Sequence, residues 1–458
     1  MENNQRNILG TVPVEKLLIK FAVPSIIAML VSALYNIVDQ FFIGRKIGTL
    51  GNAATNIVFP LSTSCVALSL LLGIGGASTF NLAMGAGKKE ESSYYIGNSA
   101  TLLFSSGIIL CIIVQLFTTP LLRFFGAPDD VMPYAVPYTH ITSFGFPFLI
   151  FATGGGHLIR ADGSPRYTML CNLTGAIINT VLDPIFIFVF DMGMAGAALA
   201  TIIGQICSGL LVIKYICNYK TVPLKLSHLK VKLKYTKNIL SLGASPFINQ
   251  IAMMITQVVM NNGLTYYGAL SKYGESIPLA CSGIVTKVNM IFFSVIIGIS
   301  QGLQPIVSFN YGAKKYDRVK SSYILASKVA FVISLVAFFI FQFAPRQIIG
   351  LFGNGSEMYF EFAASYFRVF LFFTFLNFIQ PITSNFFTAI GKPMKGILLS
   401  LTRQIIFLLP LILILPRFIG IDGIMYSGPV ADFMAALTGI ILVYFELKNL
   451  NKLNKNHI

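Results

Sequence analysis

Apolar residues along the chain come in stretches of about 20 or more, separated by short polar connections. That length crosses a bilayer as an α-helix, whereas a barrel strand needs only about ten residues. Lipid offers the backbone no hydrogen-bond partner, so each stretch must pair its own N–H and C=O groups. Twelve spans are predicted, at roughly 15–44, 52–83, 93–118, 132–156, 166–190, 193–218, 236–268, 277–309, 320–343, 358–389, 395–416 and 422–446. No polar connection is long enough to hold a soluble domain. The opening MENNQRNILGTVPVEKLLIK is polar and mixed in charge, and runs into an apolar stretch too long for a signal-peptide core, so the first helix is expected to be retained. The longest connection, NYKTVPLKLSHLKVKLKYTKN at 218–238, falls near the middle of the chain.

Composition agrees with this pattern. Of the 458 residues 55% are hydrophobic and only 11% charged, where a soluble domain carries about 25% charge. The net charge of +16 would alone admit a nucleic-acid ligand, but its distribution argues against one. With the N-terminus placed in the cytoplasm, about 23 of the 33 Lys and Arg fall in inner loops and tails and about six in outer loops. The other four, Lys287, Lys328, Arg368 and Arg403, lie within spans. The basic excess therefore reads as a topological signal and an attraction to anionic inner-leaflet lipid, and no nucleic-acid partner is expected. The expectation is a multi-pass protein of the plasma (inner) membrane with both termini cytoplasmic. The six cysteines, Cys65, Cys111, Cys171, Cys207, Cys217 and Cys281, show no metal or redox spacing and read as packing residues.

The chain repeats itself. GAGKKEE at 85–91 follows the second span and YGAKKYD at 311–317 the eighth, an offset of about 226. Gly163-Ser-Pro165 matches Gly391-Lys-Pro393, Pro24 matches Pro246, and Tyr138 matches Tyr366. Each half holds six spans in the same order and orientation, which is a parallel repeat. The predicted fold is thus an all-α polytopic membrane protein with twelve helices in two pseudo-symmetric six-helix lobes. Residues 1–218 form the first lobe, 219–235 a basic cytoplasmic linker and 236–458 the second lobe.

Three acids lie well inside spans: Asp39, Asp183 and Asp432. Carboxylates are costly in lipid and are functional candidates there by default. At 1.5 Å per residue, Asp39 lies about 7 Å below the outer end of the first span and Asp183 about 10 Å below that of the fifth. Asn179 precedes Asp183 by one turn and shares its face. Tyr35 and Asn36 stand one turn before Asp39. Pro184 has no N–H, so the carbonyl of Thr180 loses its helical donor and a kink is expected. Thr201, in the sixth span, falls about 12 Å below the outer surface. Oxygen ligands of this kind suit a hard monovalent cation, and two close carboxylates equally suit a proton. The positions matching Asp183 and Asn179 in the second half are Leu411 and Phe407, so the acids belong to one lobe only.

Other polar residues carry weaker signals. Lys287 and Asp432, each about ten residues from the outer end of its span, are read as an intramembrane charge pair, with Arg403 as a competing partner for Asp432. Gln301 and Gln304, beside Pro305, would line a cavity or bend the eighth span. Gly73-Ile-Gly-Gly76 and Gly154-Gly-Gly156 are close-packing glycines rather than phosphate loops. No metal-ligand spacing and no converging nucleophile and base are visible, so no metal, cofactor or enzymatic activity is expected.

The residues PSIIAMLVSALYNIVDQFFIG at 24–44, NTVLDPIFIF at 179–188, MGMAGAALAT at 192–201 and the second-half GAKK loop, in this order, resemble carriers of the multidrug and toxic compound extrusion (MATE) family over nearly the whole chain. The resemblance implies a secondary antiporter that exports lipophilic or cationic drugs in exchange for H⁺ or Na⁺. It implies a cation-coupling site at Asp39, Asn179, Asp183 and Thr201, with Pro24 allowing the first helix to bend. Partners would be drug-like small molecules and membrane lipid, and the carrier would act as a monomer. A lipid-linked precursor flippase of the same superfamily is the second reading; Lys287, Arg368 and Arg403 could supply the positive charge it needs. Some family members carry acids in the second lobe, where this chain has Gln257, Asn261, Asn377 and Gln380.

Overall fold

A computed structural model describes residues 8–274, 276–350 and 356–455; the first seven residues of the polar opening lie outside them. Its first half consists of α1 (Val14–Ile47), α2 (Thr49–Gly85), α3 (Lys89–Phe124), α4 (Met132–Ser143), α5 (Phe146–Ala161), α6 (Pro165–Pro184) and α7 (Gly193–Cys217). Its second half has α8 (Leu233–Ala269), α9 (Ser276–Gly312), α10 (Tyr316–Phe343), the short α11 (Pro345–Gly350), α12 (Glu357–Phe370), α13 (Ile379–Ala389), α14 (Pro393–Leu401), α15 (Leu409–Ile414), α16 (Pro416–Ile419) and α17 (Ile421–Lys455). Among the described residues, eleven helical stretches are long and apolar enough to cross a membrane. The remaining predicted span, 132–156, is built from α4 and α5, which break at Phe144 and Gly145. The tenth span breaks likewise between α12 and α13, so the repeat extends to this irregularity.

Punctuation in the sequence explains the turns. Gly163 and Gly391 adopt φ of 82° and 77°, and each is followed two residues later by a proline that opens the next helix. Two π-helical turns interrupt the ladder, at Ile185–Val189 directly after Pro184 and at Thr402–Leu408. The expected disturbance at Pro184 thus takes the form of a π turn. Pro24 leaves α1 a continuous helix. The connection between the lobes is shorter than expected, because α8 already begins at Leu233. It is tied to α3: Asn98 Nδ2 donates to the carbonyls of His228 and Lys230, and Lys232 N–H donates to Asn98 Oδ1 at 2.7 Å.

Two hydrophobic cores correspond to the two lobes, one centred on α2, α3, α5 and α7, the other on α9, α10, α12, α13 and α17. The lobes meet mainly through α1 against α9 and α2 against α8, at the end of the bundle that holds the linker. There glycines let the backbones touch. A methyl on Gly243 would collide with the carbonyl of Leu71, and one on Gly75 with that of Ile239. Gly298 and Gly302 abut Ile26 and Ala22, with Cβ positions 2.6 Å from backbone atoms. Hydrogen bonds between α9 and the first lobe end at the pair Gln301 Nε2 and Met29 Sδ, 3.7 Å apart. α9 is buried on every side from Gly298 to Asn310, but beyond Gly298 towards the far end only on part of its circumference. The lobes are therefore closed at the linker end and looser at the other.

The stretch before α1 completes this closure. Ile8–Gly10 forms a 3-10 turn whose carbonyls face the second lobe. Leu9 O accepts from Asn310 Nδ2 at 2.8 Å and Arg318 at 3.1 Å, Gly10 O from Lys315 Nζ at 2.8 Å, and Val12 O from Arg318 at 2.6 Å. Leu9, Leu17 and Phe21 pack with Ile306 and Phe309 beneath these bonds. Gly243→Leu should force the lobes apart at this end. A cysteine placed at Ser78, fully buried behind the contact, should then react several-fold faster with a water-soluble maleimide. Unchanged labelling would show that the seal does not depend on this glycine.

Candidate functional site

The four residues singled out in the first lobe come together. α6 carries Asn179 and Asp183 one turn apart, and Asn179 Nδ2 donates to Asp183 Oδ1 at 3.3 Å. The same amide reaches Thr201 Oγ1 on α7 at 3.3 Å, and Thr201 in turn donates to Ala197 O at 3.0 Å. α1 packs beside α6 and turns Asp39 inward, so that its carboxylate lies next to that of Asp183. Asp183 is fully buried and Asn179 is 3% exposed, while Asp39 is half-buried.

The cluster has more acceptors than donors. Asp39 Oδ1, Asn179 Oδ1 and Asp183 Oδ2 are buried without a donor among the described residues. Two carboxylates in contact repel each other unless a proton or a cation lies between them. An unsatisfied oxygen on each acid, with the unsatisfied amide oxygen of Asn179 beside them, makes a seat for a positive species. Asn179 can turn either amide end to it, since oxygen and nitrogen occupy equivalent positions.

Two tyrosines border the pair. Tyr35, one turn before Asp39, stands within the field of both carboxylates. Asn36 donates to Ser32 O at 2.7 Å and is exposed. Tyr138 of α4 is buried against the same two acids. In the sequence, Tyr138 stands out only through its match to Tyr366 in the repeat. Tyr366 is buried in the apolar core of the other lobe, with its hydroxyl 3.7 Å from Met260 Sδ. Thr180 is half-buried beside the cluster, with its side chain in no hydrogen bond among the described residues.

The remaining candidates lie elsewhere. Gln301 and Gln304 sit at the closed interface between lobes; Gln304 Nε2 donates to Ser78 Oγ at 2.8 Å and to Ile74 O at 3.4 Å. They lie far from the cation cluster: Met29, beside Gln301, is ten residues from Asp39, about 15 Å along α1. The expected pair of Lys287 with Asp432 does not form. Arg403 takes Asp432 instead, with Nε to Oδ1 at 2.6 Å, and Asn377 lies beside the carboxylate. Arg403 stands at the start of the π turn Thr402–Leu408, and Asp432 on α17. Among the described residues Lys287 has no carboxylate within 4 Å. Gln257 donates to Asn261 at 2.9 Å and Gln380 to Asn249 at 3.4 Å. Glu361 pairs with Lys272 at 2.9 Å, while Arg368 donates to Gln342 O.

Two pseudo-symmetric helical lobes spanning a membrane, sealed at one end and with an acid cluster in one of them, define a membrane transporter. The MatE family model matches residues 24–185 and 250–414, and the chain belongs to that family, the MATE transporters. Over 448 residues it is 25% identical to the multidrug export protein MepA of Staphylococcus aureus strain MSSA476, covering 97% of this chain and 96% of that one. The MepA of Staphylococcus haemolyticus is 26% identical over 440 residues, 95% and 94% of the two chains. A multidrug resistance MATE family transporter of the MOP superfamily, solved in its outward-facing conformation, superposes with a TM-score of 0.89 at 24% identity, covering 97% of this chain and 98% of that one. The last likeness concerns the fold.

Proposed function

We propose that the protein is an ion-coupled antiporter of the plasma membrane that exports lipophilic or cationic compounds in exchange for H⁺ or Na⁺. One observation carries this reading. Asp39, Asn179, Asp183 and Thr201 come together in the first lobe, while the repeat positions of Asn179 and Asp183 in the second lobe are the apolar Phe407 and Leu411, which pack against that lobe's hydrophobic core. Lobes that shared only a structural role would not differ in this way. The names of the MepA relatives, multidrug export proteins, support the substrate class. Loop charge supports an orientation with termini and linker cytoplasmic; the seal at the linker end then makes this the outward-facing state.

Helix α1 links the ion to the lobes. It presents Asp39 to the cluster on one side, and its linker-end half lies along α9. Pro24 stands between Ala22 and Ile26, the two residues on which Gly302 and Gly298 rest. A missing backbone donor there makes bending easy where it shifts the contact between lobes. An ion arriving from outside would quench the repulsion between Asp39 and Asp183, draw α1 towards α6 and loosen substrate held in the cleft. The lobes could then rock to face inward.

Reconstituted vesicles loaded with ethidium, given a pH gradient or a sodium gradient separately, test the proposal. Ethidium should move uphill against one gradient and stop when the gradient is collapsed. Ethidium moving only downhill, whatever ion gradient is imposed, would make the protein a passive pore and overturn antiport.

A further inference from the structure

Lys287 is a basic group deep in a membrane span that the charge pairing leaves over. It is half-buried, and Arg403 has taken the carboxylate expected for it. Its position on α9 can be fixed from the glycine contacts. Gly298 rests on Ile26 of α1. Lys287 precedes Gly298 by eleven residues, close to three full turns, and so lies on the same side of α9 about 16 Å further from the sealed end. One turn beyond it, Gly283 has nothing within 4 Å of the place a Cβ would occupy, so no described protein atom covers this side of α9 there. Because α1 and α9 run antiparallel, the same distance along α1 from Ile26 reaches the level of Ile37, two residues from Asp39. Thirteen residues of helix turn Asp39 about 140° away from the side of Ile26 that meets α9. Helix α1 thus has the acid cluster on one side and the ammonium of Lys287 across from its other side, at nearly one depth.

A lysine kept at this depth without a counter-ion is costly unless water or a charged guest serves it. We propose that Lys287 receives an acidic group of the transported molecule, a carboxylate, sulfonate or phosphate, in the space between the second lobe and α1. The carrier then accepts amphiphiles with a negative charge, zwitterions included, besides purely cationic compounds. This rests on the transport reading above and names a substrate class for it. It also gives coupling a direct geometry. The guest lies against one side of α1 and the ion behind the other, so a shift of α1 towards the ion withdraws a wall from the guest.

A carboxylate-bearing rhodamine and its methyl ester differ in the acidic group alone. In vesicles of phosphatidylcholine, where no anionic headgroup competes, Lys287→Met should lower efflux and detergent-solution binding of the free acid about tenfold, as expected for one charge-assisted hydrogen bond. The ester should be handled as by the unaltered protein, and Lys287→Arg should keep most of the binding of the free acid. Equal losses for both dyes, or no loss for either, would overturn the proposal. Adding phosphatidylglycerol separates a lipid phosphate from a soluble guest: if that lipid displaces the free acid from unaltered protein but not from Lys287→Met, the site takes headgroups as well. Binding is read without any gradient, so acid-selective binding without uphill transport would defeat antiport while leaving this site standing.

Discussion

Asp183→Asn and, separately, Asp39→Asn should collapse the gradient-driven accumulation ratio to unity while leaving the protein folded in the membrane. Coupling needs a site whose charge changes when an ion arrives. Each substitution keeps side-chain volume and replaces one anionic oxygen with a donor. Asn at 183 could donate to Asp39 and would satisfy the pair permanently, so no proton or cation would be required between them. Thermal stability in detergent should hold or rise, because a repulsion has been removed. The unaltered protein should gain thermal stability when its coupling ion is added, and neither variant should. Leu411→Asp supplies the control. It places an acid at the position that matches Asp183 in the second lobe, packed against that lobe's hydrophobic core, and should destabilise without restoring transport to Asp183→Asn. Full uphill transport by both single variants would remove the cluster from the mechanism.

The residues differ in how far sequence could place them. Helical rise put Asp39 and Asp183 at similar depth, and the four-residue spacing put Asn179 on the side of Asp183. Rise alone leaves open which way a helix is rotated. That Asp39 faces α6 is set by the packing of α1 between α6 and α9, in which Ala22 and Ile26 are pinned by the glycines of α9. Those glycines are visible in sequence, but their partners are not. Tyr138 sits on a span that breaks at Phe144 and Gly145, so counting residues along an unbroken helix does not locate it. The repeat was legible because turns preserve their chemistry: a glycine with positive φ and a proline two residues on recur at Gly163 and Gly391. The spans were legible because lipid forces every backbone group into a helix. The choice between Lys287 and Arg403 was not, since both have suitable charge and depth. It is decided by how the helices around α17 are rotated, which brings Arg403, and not Lys287, against Asp432.

Arg403→Ala should destabilise the second lobe by about 3–5 kcal/mol, the cost of leaving a buried charge without its partner. The side chains of Arg403 and Asp432 are only 15% and 1% exposed. Without the guanidinium, Asp432 keeps the nearby Asn377 as a polar neighbour, and among the described residues Lys287 is not within ion-pair reach of it. The desolvation penalty then falls on a lone carboxylate in apolar surroundings, which will take up a proton to escape it. Arg403→Ala combined with Asp432→Asn should recover most of the loss, since no charge remains to be buried. Arg403→Met with Asp432→Leu should equal or exceed the parent in melting temperature, because well-packed apolar pairs often outperform buried ion pairs. Uphill ethidium transport in this last variant should persist, as the pair lies apart from the acid cluster of the first lobe. If the apolar double variant melts as the parent does but no longer transports, the pair serves the transport cycle rather than the fold. If Arg403→Ala alone leaves the melting temperature unchanged, the contact at 2.6 Å contributes nothing to stability.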